Sequence, residues 1–560
     1  MADTSPPATG PSATGMAARL RAAWDVVRTR GPSGFQFWFI ALVVGVASGY
    51  AAVLFMTAIR ALQTFLYRTS DPRLIHSAAA DLPWWWILIL PTVGGLVVGL
   101  ILHRYTPDGR VRSVADVIEA AALREGRVER KAGLASAAAS LITLSSGGSS
   151  GREGPVVHIT GMIAGWVSNR INADGITGRE LLGCAVAAGV AASFNAPIAG
   201  ALFAMEVVNR HFSVHAFPPI TIASVAGAVI ARSHFGEATE FALEEGRVLA
   251  FYVELPAFLL MGLLCGIVAV ILMRSVFLVD AAGTRVIDRT GLPRWVRPAI
   301  SGLILGAIAI AFPHIIGVGY ETTSAALSGG IGLREAVVFA VVKVAAAALT
   351  VGGRMGGGVF SPALMVGALT GLAFGMVATG LFPEASGSPT LYALAGMGAV
   401  AAAVLGAPIS TTLIVFELTG DWQTGLAVMV AVSMSTAVAS RLVKGSFFDM
   451  QLARRGQRIG AGPQEYIPAT IRVSAHMKAL GHAKAPPEAR VTAAIDEGRF
   501  VEPSDDFSKA LPILRTSGAE FLPVIRFGDA GPEPVAVLLA VDAFRAFNRE
   551  LAARAAEEHS

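Results

Sequence analysis

The amino-acid sequence predicts an all-α polytopic membrane protein built from two similar halves, followed by a small α/β tail. Three observations carry this expectation. Of 560 residues, 54% are hydrophobic and only 15% charged, against about 25% charged in an ordinary soluble domain. The mean hydropathy of +0.60 comes from many separate apolar runs, which indicates several spans rather than a single anchor. Finally, the breaks between runs are rich in Gly and Pro and recur at a near-constant offset along the chain.

Met1 to Gly15 is rich in Pro, Ser, Thr and Ala and has no apolar core, so a disordered tail is expected rather than a cleaved leader. Met16 to Arg30 is basic and could lie as a helix on the inner membrane surface. Arg19, Arg21, Arg28 and Arg30 precede the first span. Loop arginines set membrane orientation and place the N-terminus in the cytoplasm. Neither they nor the net charge of +4 require a nucleic-acid partner. Phe35 to Tyr67 reads as a long tilted span. Trp84 to Tyr105 reads as the second, with Trp84, Trp85 and Trp86 forming an interfacial belt. Further spans are expected near Phe217–Ala231, Phe251–Phe277, Val296–Phe312, Ala336–Val351, Leu391–Val404 and Leu426–Leu442.

The membrane domain is thus placed at residues 16–455, with its halves at about 35–235 and 250–455. Beyond Arg455 the composition turns soluble. Strand-like runs (Phe521–Val524, Pro534–Leu539) alternate with helix-like ones (Phe507–Arg515, Val541–Arg549), giving a cytoplasmic α/β segment over 456–555. Cys184 and Cys265 both lie in apolar surroundings, which gives neither a disulfide framework nor metal-ligand spacing. No cofactor is implied.

Several runs fall short of the roughly 20 residues that cross a bilayer. Interrupted helices are tolerated in a membrane only inside protein or along a wet cavity, so the interruptions point to a lined pathway. They also repeat. Asn195-Ala196-Pro197-Ile198 precedes Glu206 as Gly406-Ala407-Pro408-Ile409 precedes Glu417, with 409 − 198 = 211 and 417 − 206 = 211. Upstream lie the Gly-rich breaks Ser145–Pro155 and Gly352–Pro362, with 362 − 155 = 207. Matching broken helices in two halves place a substrate site between the halves, near the midplane.

The first break reads Ser145-Ser146-Gly147-Gly148-Ser149-Ser150-Gly151-Arg152-Glu153-Gly154-Pro155. Its glycines let the chain turn and expose backbone N–H groups, and Pro155 suits the first turn of the helix that follows. Such an N-terminus holds an anion without a full positive charge, loosely enough for release. Gly151, Arg152 and Gly154 flank this anion-favouring turn. Glu153 lies within it. Its carboxylate can take the anion's place, and when protonated it can swing aside, which describes a gate. A glutamate there could instead simply complement the helix dipole; the second break and the repeat favour the gate. In that second break the backbone N–H groups of Val359 and Phe360 could face the same anion.

These motifs resemble the CLC family of chloride channels and chloride/proton exchangers. The resemblance rests on Gly151-Arg152-Glu153-Gly154-Pro155, Gly357-Gly358-Val359-Phe360-Ser361-Pro362, Phe194-Asn195-Ala196-Pro197, Gly406-Ala407-Pro408 and Phe416-Glu417-Leu418-Thr419-Gly420-Asp421, and spans roughly Phe35 to Gly456. It implies a homodimer of inverted-repeat subunits in the inner (plasma) membrane. Each subunit would have its own chloride path gated by Glu153, both termini would be cytoplasmic, and the activity would be a voltage- or pH-gated channel or a chloride/proton antiporter.

Three departures bear on that implication. The family's inner Gly-Ser-Gly-x-Pro loop aligns with Val111-Arg112-Ser113-Val114-Ala115, which puts Arg112 where a serine would coordinate the central anion. Arg112 could draw anions into an inner vestibule or pair with Asp116, and Ser113 could supply the hydroxyl if the register shifts by one. Phe448 replaces a tyrosine and has no hydroxyl to donate. Glu206 matches a family glutamate and is a candidate for a proton path, but Val207 stands where many exchangers carry a second glutamate. The tail resembles one cystathionine-β-synthase-type (CBS) module through Phe500-Val501-Glu502-Pro503 and Phe521-Leu522-Pro523-Val524.

Other function classes fit less well. A hydrolase would need a nucleophile–base pair or a metal cluster in its spans, and an imagined Ser149–His158 dyad has no third orienting group. A sensor would not need two repeat-related anion sites. The expected partners are therefore chloride or a similar anion, possible protons, the lipid bilayer and a second copy of the chain.

Overall fold

The apolar runs fold into helices close to where the sequence places them. The computed structural model describes residues 34–69, 71, 73–236, 253–384, 386–457, 459, 463–528 and 531–559. The expected tail Met1–Gly15 and surface helix Met16–Arg30 lie outside the described residues. The chain divides into two units, Met1–Arg455 and Gly456–Ser560.

In the first half of the membrane unit α1 (Gly34–Tyr67), the short α2 (Ile75–Ala80) and α3 (Trp84–Tyr105) lead to α4 (Val114–Leu123), α5 (Arg130–Ser145) and α6 (Glu153–Ile171). Then come α7 (Gly175–Phe194), α8 (Pro197–Phe203), which continues into a π turn at Ala204–Asn209, and α9 (Phe217–Phe235). The second half holds α10 (Leu255–Thr290), α11 (Arg297–Ala311), α12 (Tyr320–Leu327), α13 (Leu333–Gly352) and α14 (Phe360–Leu381). It closes with α15 (Pro389–Leu405), α16 (Pro408–Thr419), α17 (Trp422–Leu442) and α18 (Phe447–Ala453). At about 1.5 Å per residue α1 is roughly 50 Å long, which exceeds a bilayer core of about 30 Å and requires tilt.

Among the described residues eight helices are long and apolar enough to cross a membrane. Two of them, Gly175–Phe194 and Phe360–Leu381, correct the expected set of spans. The first is rich in Ala and Gly, which weakens its apolar signal; the second begins inside a Gly-rich break. The expected span Leu391–Val404 is instead the 17-residue α15, shorter than a full crossing and buried along almost its whole length. It packs against α14 so closely that a Cβ on Gly367 would meet the Gly396 carbonyl oxygen at 2.3 Å, and one on Gly396 would meet that of Gly367 at 2.5 Å. Lys343 of α13 meets no carboxylate among the described residues. It is fully buried and its Nζ donates to the carbonyls of Ile315 (3.2 Å) and Gly317 (3.1 Å), which ties α13 to the loop before α12.

The repeat is visible in backbone detail. Helices α7 and α15 end on left-handed residues, Asn195 (φ 57°) and Gly406 (φ 68°), and Pro197 and Pro408 then open α8 and α16. Each new helix leaves backbone donors without an intrahelical partner, and the opposite half supplies the acceptor. Glu417 of α16 accepts from Ile198 N (2.9 Å) and Ala199 N (2.8 Å) of α8. Glu206 accepts from Ile409 N (2.9 Å), Ser410 N (2.8 Å) and Ser410 Oγ (2.8 Å) of α16. Two helices thus cap each other through glutamates 211 positions apart (417 − 206 = 211).

The second unit holds a three-stranded antiparallel sheet in the order β1-β3-β2, from β1 (Lys478–Ala479), β2 (Phe521–Gly528) and β3 (Gly531–Leu539). The two segments behind the CBS resemblance are neighbours there: Val501 N donates to Pro523 O (3.0 Å) and Ile525 N to Val501 O (2.9 Å).

The reciprocal caps carry a stability prediction. Replacing Glu417 by Ala removes two charge-assisted caps and should cost about 2 kcal/mol, while Glu417→Gln, which keeps one acceptor, should cost about half of that. Thermal midpoints of the detergent-purified protein test this; three equal midpoints would show that the caps hold nothing together.

Candidate functional site

The two broken helices meet end to end. Helix α6 opens at Glu153 after the first break, and α14 opens at Phe360 after the second. Between the breaks, Gly151 N donates to Gly358 O (2.7 Å) and Gly358 N to Gly151 O (2.8 Å), so each break satisfies the other's backbone. Side chains outside the Gly-rich motifs complete the join. Ser149 N donates to Thr350 Oγ1 (3.0 Å), Gly357 N to Ser140 Oγ (3.2 Å) and Thr143 Oγ1 to Met355 O (2.9 Å). These α5 and α13 hydroxyls were missed from the sequence because in isolation they read as helix filler.

Glu153 is 4% exposed, and its carboxylate folds back over the start of α14. Ser361 Oγ donates to Glu153 Oε1 (2.5 Å), while Oε2 has no hydrogen-bond partner. A Cβ on Gly151 would lie 2.4 Å from that Oε2 and 3.0 Å from Ser361 N, so only glycine leaves the carboxylate this position. The carboxylate therefore sits where α14 presents its free donors and partial positive charge, which is where an anion would sit. Ser361 was quoted within a motif but not singled out. The 207 offset pairs it with Gly154 (361 − 154 = 207), and that was the available signal.

The remaining residues surround this point unequally. Val359 forms the N-cap of α14 and is 2% exposed. The Phe360 ring packs against Phe194 (4.7 Å between centroids) and Phe203 (6.3 Å). A Cβ on Gly154 would lie 3.4 Å from Gly358 Cα and 3.8 Å from Ser113 Cβ, which brings the start of α4 to the same junction. Arg152 is turned to structural work: its Nη2 donates to Ser193 O (3.0 Å) and its guanidinium lies 5.0 Å from the Tyr320 ring centre. Phe448 is buried in α18, which packs against α4.

The structure separates Arg112 from Ser113. Ser113 stands beside Gly154 as the N-cap of α4, with its backbone N donating to Asp116 (2.9 Å). The Arg112 guanidinium meets carboxylates instead: Asp108 (2.8 Å), Glu129 (3.4 Å) and Asp116 (3.9 Å). The pairing expected with Asp116 is therefore the longest of three. Burial alone would raise the Asp108 carboxyl, but hydrogen bonds from Arg112 and Arg110 outweigh it and hold the group at about 2. Glu206 lies in the reciprocal cap with both oxygens engaged, and Val207 beside it is buried. His158, on α6 beyond Glu153, is 2% exposed, and Ser113, Asp116, Arg112 and Glu129 are among the groups around it.

The arrangement can hold a small anion on backbone dipoles and can block that position with its own carboxylate. Comparison with known proteins gives the family. Residues 94–440 match the family model described as voltage gated chloride channel. The chain is 34% identical to a ClcB-like protein of Ralstonia nicotianae over 423 residues, covering 74% of this chain and 96% of that protein. It is 28% identical to the voltage-gated ClC-type chloride channel ClcB of Escherichia coli over 431 residues, covering 75% of this chain and 99% of that one. Its fold is similar to a slow cyanobacterial Cl−/H+ antiporter (TM-score 0.66, 21% identity, 75% of this chain and 97% of that one). It is also similar to a eukaryotic CLC transporter (TM-score 0.64, 16% identity, 90% and 97%). With the paired helix breaks, the carboxylate across them and these matches, the chain belongs to the CLC family of chloride channels and transporters.

Proposed function

We propose that this protein conducts chloride, or a similar small inorganic anion, across a cell inner membrane as a homodimer with one glutamate-gated path per subunit. The observation that carries this is the Glu153 carboxylate lying on the N-terminus of α14 against Ser361. A negative group occupies the place of the anion, so anion and carboxylate compete for one position. Protonation removes the competitor's charge and frees the position. Gly151, Gly154, Ser113, Val359 and Phe360 surround the junction, and Phe448, on the helix packed against α4, offers no hydroxyl. Arg112 with its carboxylates forms the charged rim on the Ser113 side. Both termini are taken as cytoplasmic, and the tail as a single CBS-like unit, supported by the pairing of Val501 with Val524.

A channel is favoured because Val207 stands where many exchangers carry a second glutamate. Glu206 spends both oxygens on backbone donors, and Val207 cannot carry a proton. A second reading, chloride/proton exchange, is favoured by His158, a buried titratable ring on the gate's own helix that faces Asp116. Chloride efflux from liposomes holding the purified protein, with external pH recorded, separates the two. Proton uptake in fixed ratio to chloride selects exchange; chloride movement alone selects the channel.

Two substitutions test the gate. Glu153→Gln keeps the shape and removes the charge, so anion flux should lose its pH dependence; a variant with the wild-type pH response would refute the gating role. Ser361→Ala removes the donor that holds the carboxylate down, so flux at neutral pH should rise, by up to roughly tenfold for one charge-assisted hydrogen bond. Unchanged flux would mean that something other than Ser361 holds the carboxylate.

A further inference from the structure

A basic cavity lies apart from the proposed anion junction. The C-terminal ends of α3 and α10 and the start of α11 enclose an open cavity of about 570 Å³. Its described lining contains four arginines, Arg104, Arg294, Arg297 and Arg354, and two carboxylates, Asp108 and Asp288. Asp108 is already held by Arg110 (2.6 Å) and Arg112 (2.8 Å), so it offers little charge to the cavity. Asp288 makes no ion pair with a described residue and offsets one cation.

The nearest other acid is also spent. Asp280 is shared by Arg297 (2.9 Å), Arg354 (3.3 Å) and Arg454 (3.8 Å), three guanidiniums on one carboxylate. Donors are left over. Arg297 is 6% exposed and its Nε has no hydrogen-bond partner. Arg354 reaches Asp280 through Nε, and its terminal nitrogens meet no described acceptor. Arg294 makes no side-chain hydrogen bond or ion pair with a described residue. Among the described residues the Arg104 guanidinium engages the Tyr105 ring alone, 5.4 Å from its centre.

The walls have a different character. Leu102, Ile287, Pro298 and Trp295 give the cavity an apolar side. Its floor is closely packed, because α3 and the turn leading into α11 approach so closely that a Cβ on Gly99 would lie 1.9 Å from the Trp295 carbonyl oxygen. A surplus of guanidinium forks matches phosphate, which they bind bidentately. Basic pockets between helices at the membrane surface, with an aromatic and aliphatic side, take anionic lipid headgroups.

We propose that this cavity binds a phosphate-bearing ligand, through Arg104 and Arg294 at its rim and Arg354 within. The phosphate belongs either to an anionic phospholipid headgroup or to a soluble compound. Arg354 is part of the second break, so an occupied cavity also restrains the segment that leads to Val359 and Phe360. This assignment is independent of what the anion path carries, and its test reads binding rather than flux.

The experiment uses the full-length protein, exchanged into nonionic detergent, and measures calorimetric binding of dihexanoyl phosphatidylglycerol, of dihexanoyl phosphatidylcholine and of inorganic phosphate. The wild-type protein should bind phosphatidylglycerol more tightly than phosphatidylcholine. The double variant Arg104→Gln, Arg294→Gln should lose about tenfold or more in affinity, since each charge-assisted contact is a large fraction of one decade or above. Phosphatidylglycerol binding that inorganic phosphate does not displace identifies the lipid headgroup. Binding of inorganic phosphate with the same loss in the variant identifies a soluble ligand. Absence of binding by the wild type, no preference over phosphatidylcholine without phosphate binding, or a loss well below tenfold overturns the proposal. Chromatographic monodispersity of the variant, with intact chloride flux, separates loss of the site from loss of the fold.

Discussion

The pair of hydrogen bonds between Gly151 and Gly358 is the contact on which the rest of the proposed anion site depends. A helix that stops inside a membrane leaves backbone groups that lipid cannot satisfy. Here two helices stop at the same place and each break supplies the other's missing partners. The helices α6 and α14 both begin at this junction, where their first turns leave N–H groups without intrahelical partners. The defect in secondary structure and the proposed anion site are therefore one feature.

That arrangement also explains why the carboxylate of Glu153 rests where it does. The N-terminus of α14 attracts negative charge, Ser361 offers a donor, and Gly151 leaves the room. No lysine or arginine needs to enter the junction. The nearby arginines are used elsewhere: Arg152 on Ser193 and Tyr320, Arg112 on three carboxylates. A site built from partial charges binds weakly enough to let its ion leave, whereas a guanidinium fork would hold it. The arginine-rich cavity at the ends of α3, α10 and α11 has the opposite chemistry and suits a ligand that stays.

The reciprocal caps show the same economy at the second pair of breaks. Pro197 and Pro408 begin helices whose next donors would be orphaned, and Glu417 and Glu206 cross to the other half to accept from them. This use of Glu206 was not legible from its neighbours in sequence. Its repeat partner Glu417 was the clue, since two glutamates at one offset suggest a shared structural task before a proton path.

The spans α1 and α3, the doubling of the breaks and the position of Glu153 were determined by the sequence itself. Each depends on local chemistry: apolar length, glycine and proline at a helix start, and an acid in the first turn. The strands Phe521–Gly528 and Gly531–Leu539 were readable for the same reason. Which of two adjacent residues faces the site was decided only by tertiary structure. Arg112 and Ser113 are equivalent candidates along the chain, but packing of α4 turns Ser113 toward Gly154 while Asp108, Glu129 and Asp116 converge on Arg112 from three segments. Ser361 likewise gained its role through a partner 208 positions away. A hydrogen bond between distant segments leaves no periodic trace in either one, so it becomes visible only when the fold brings them together.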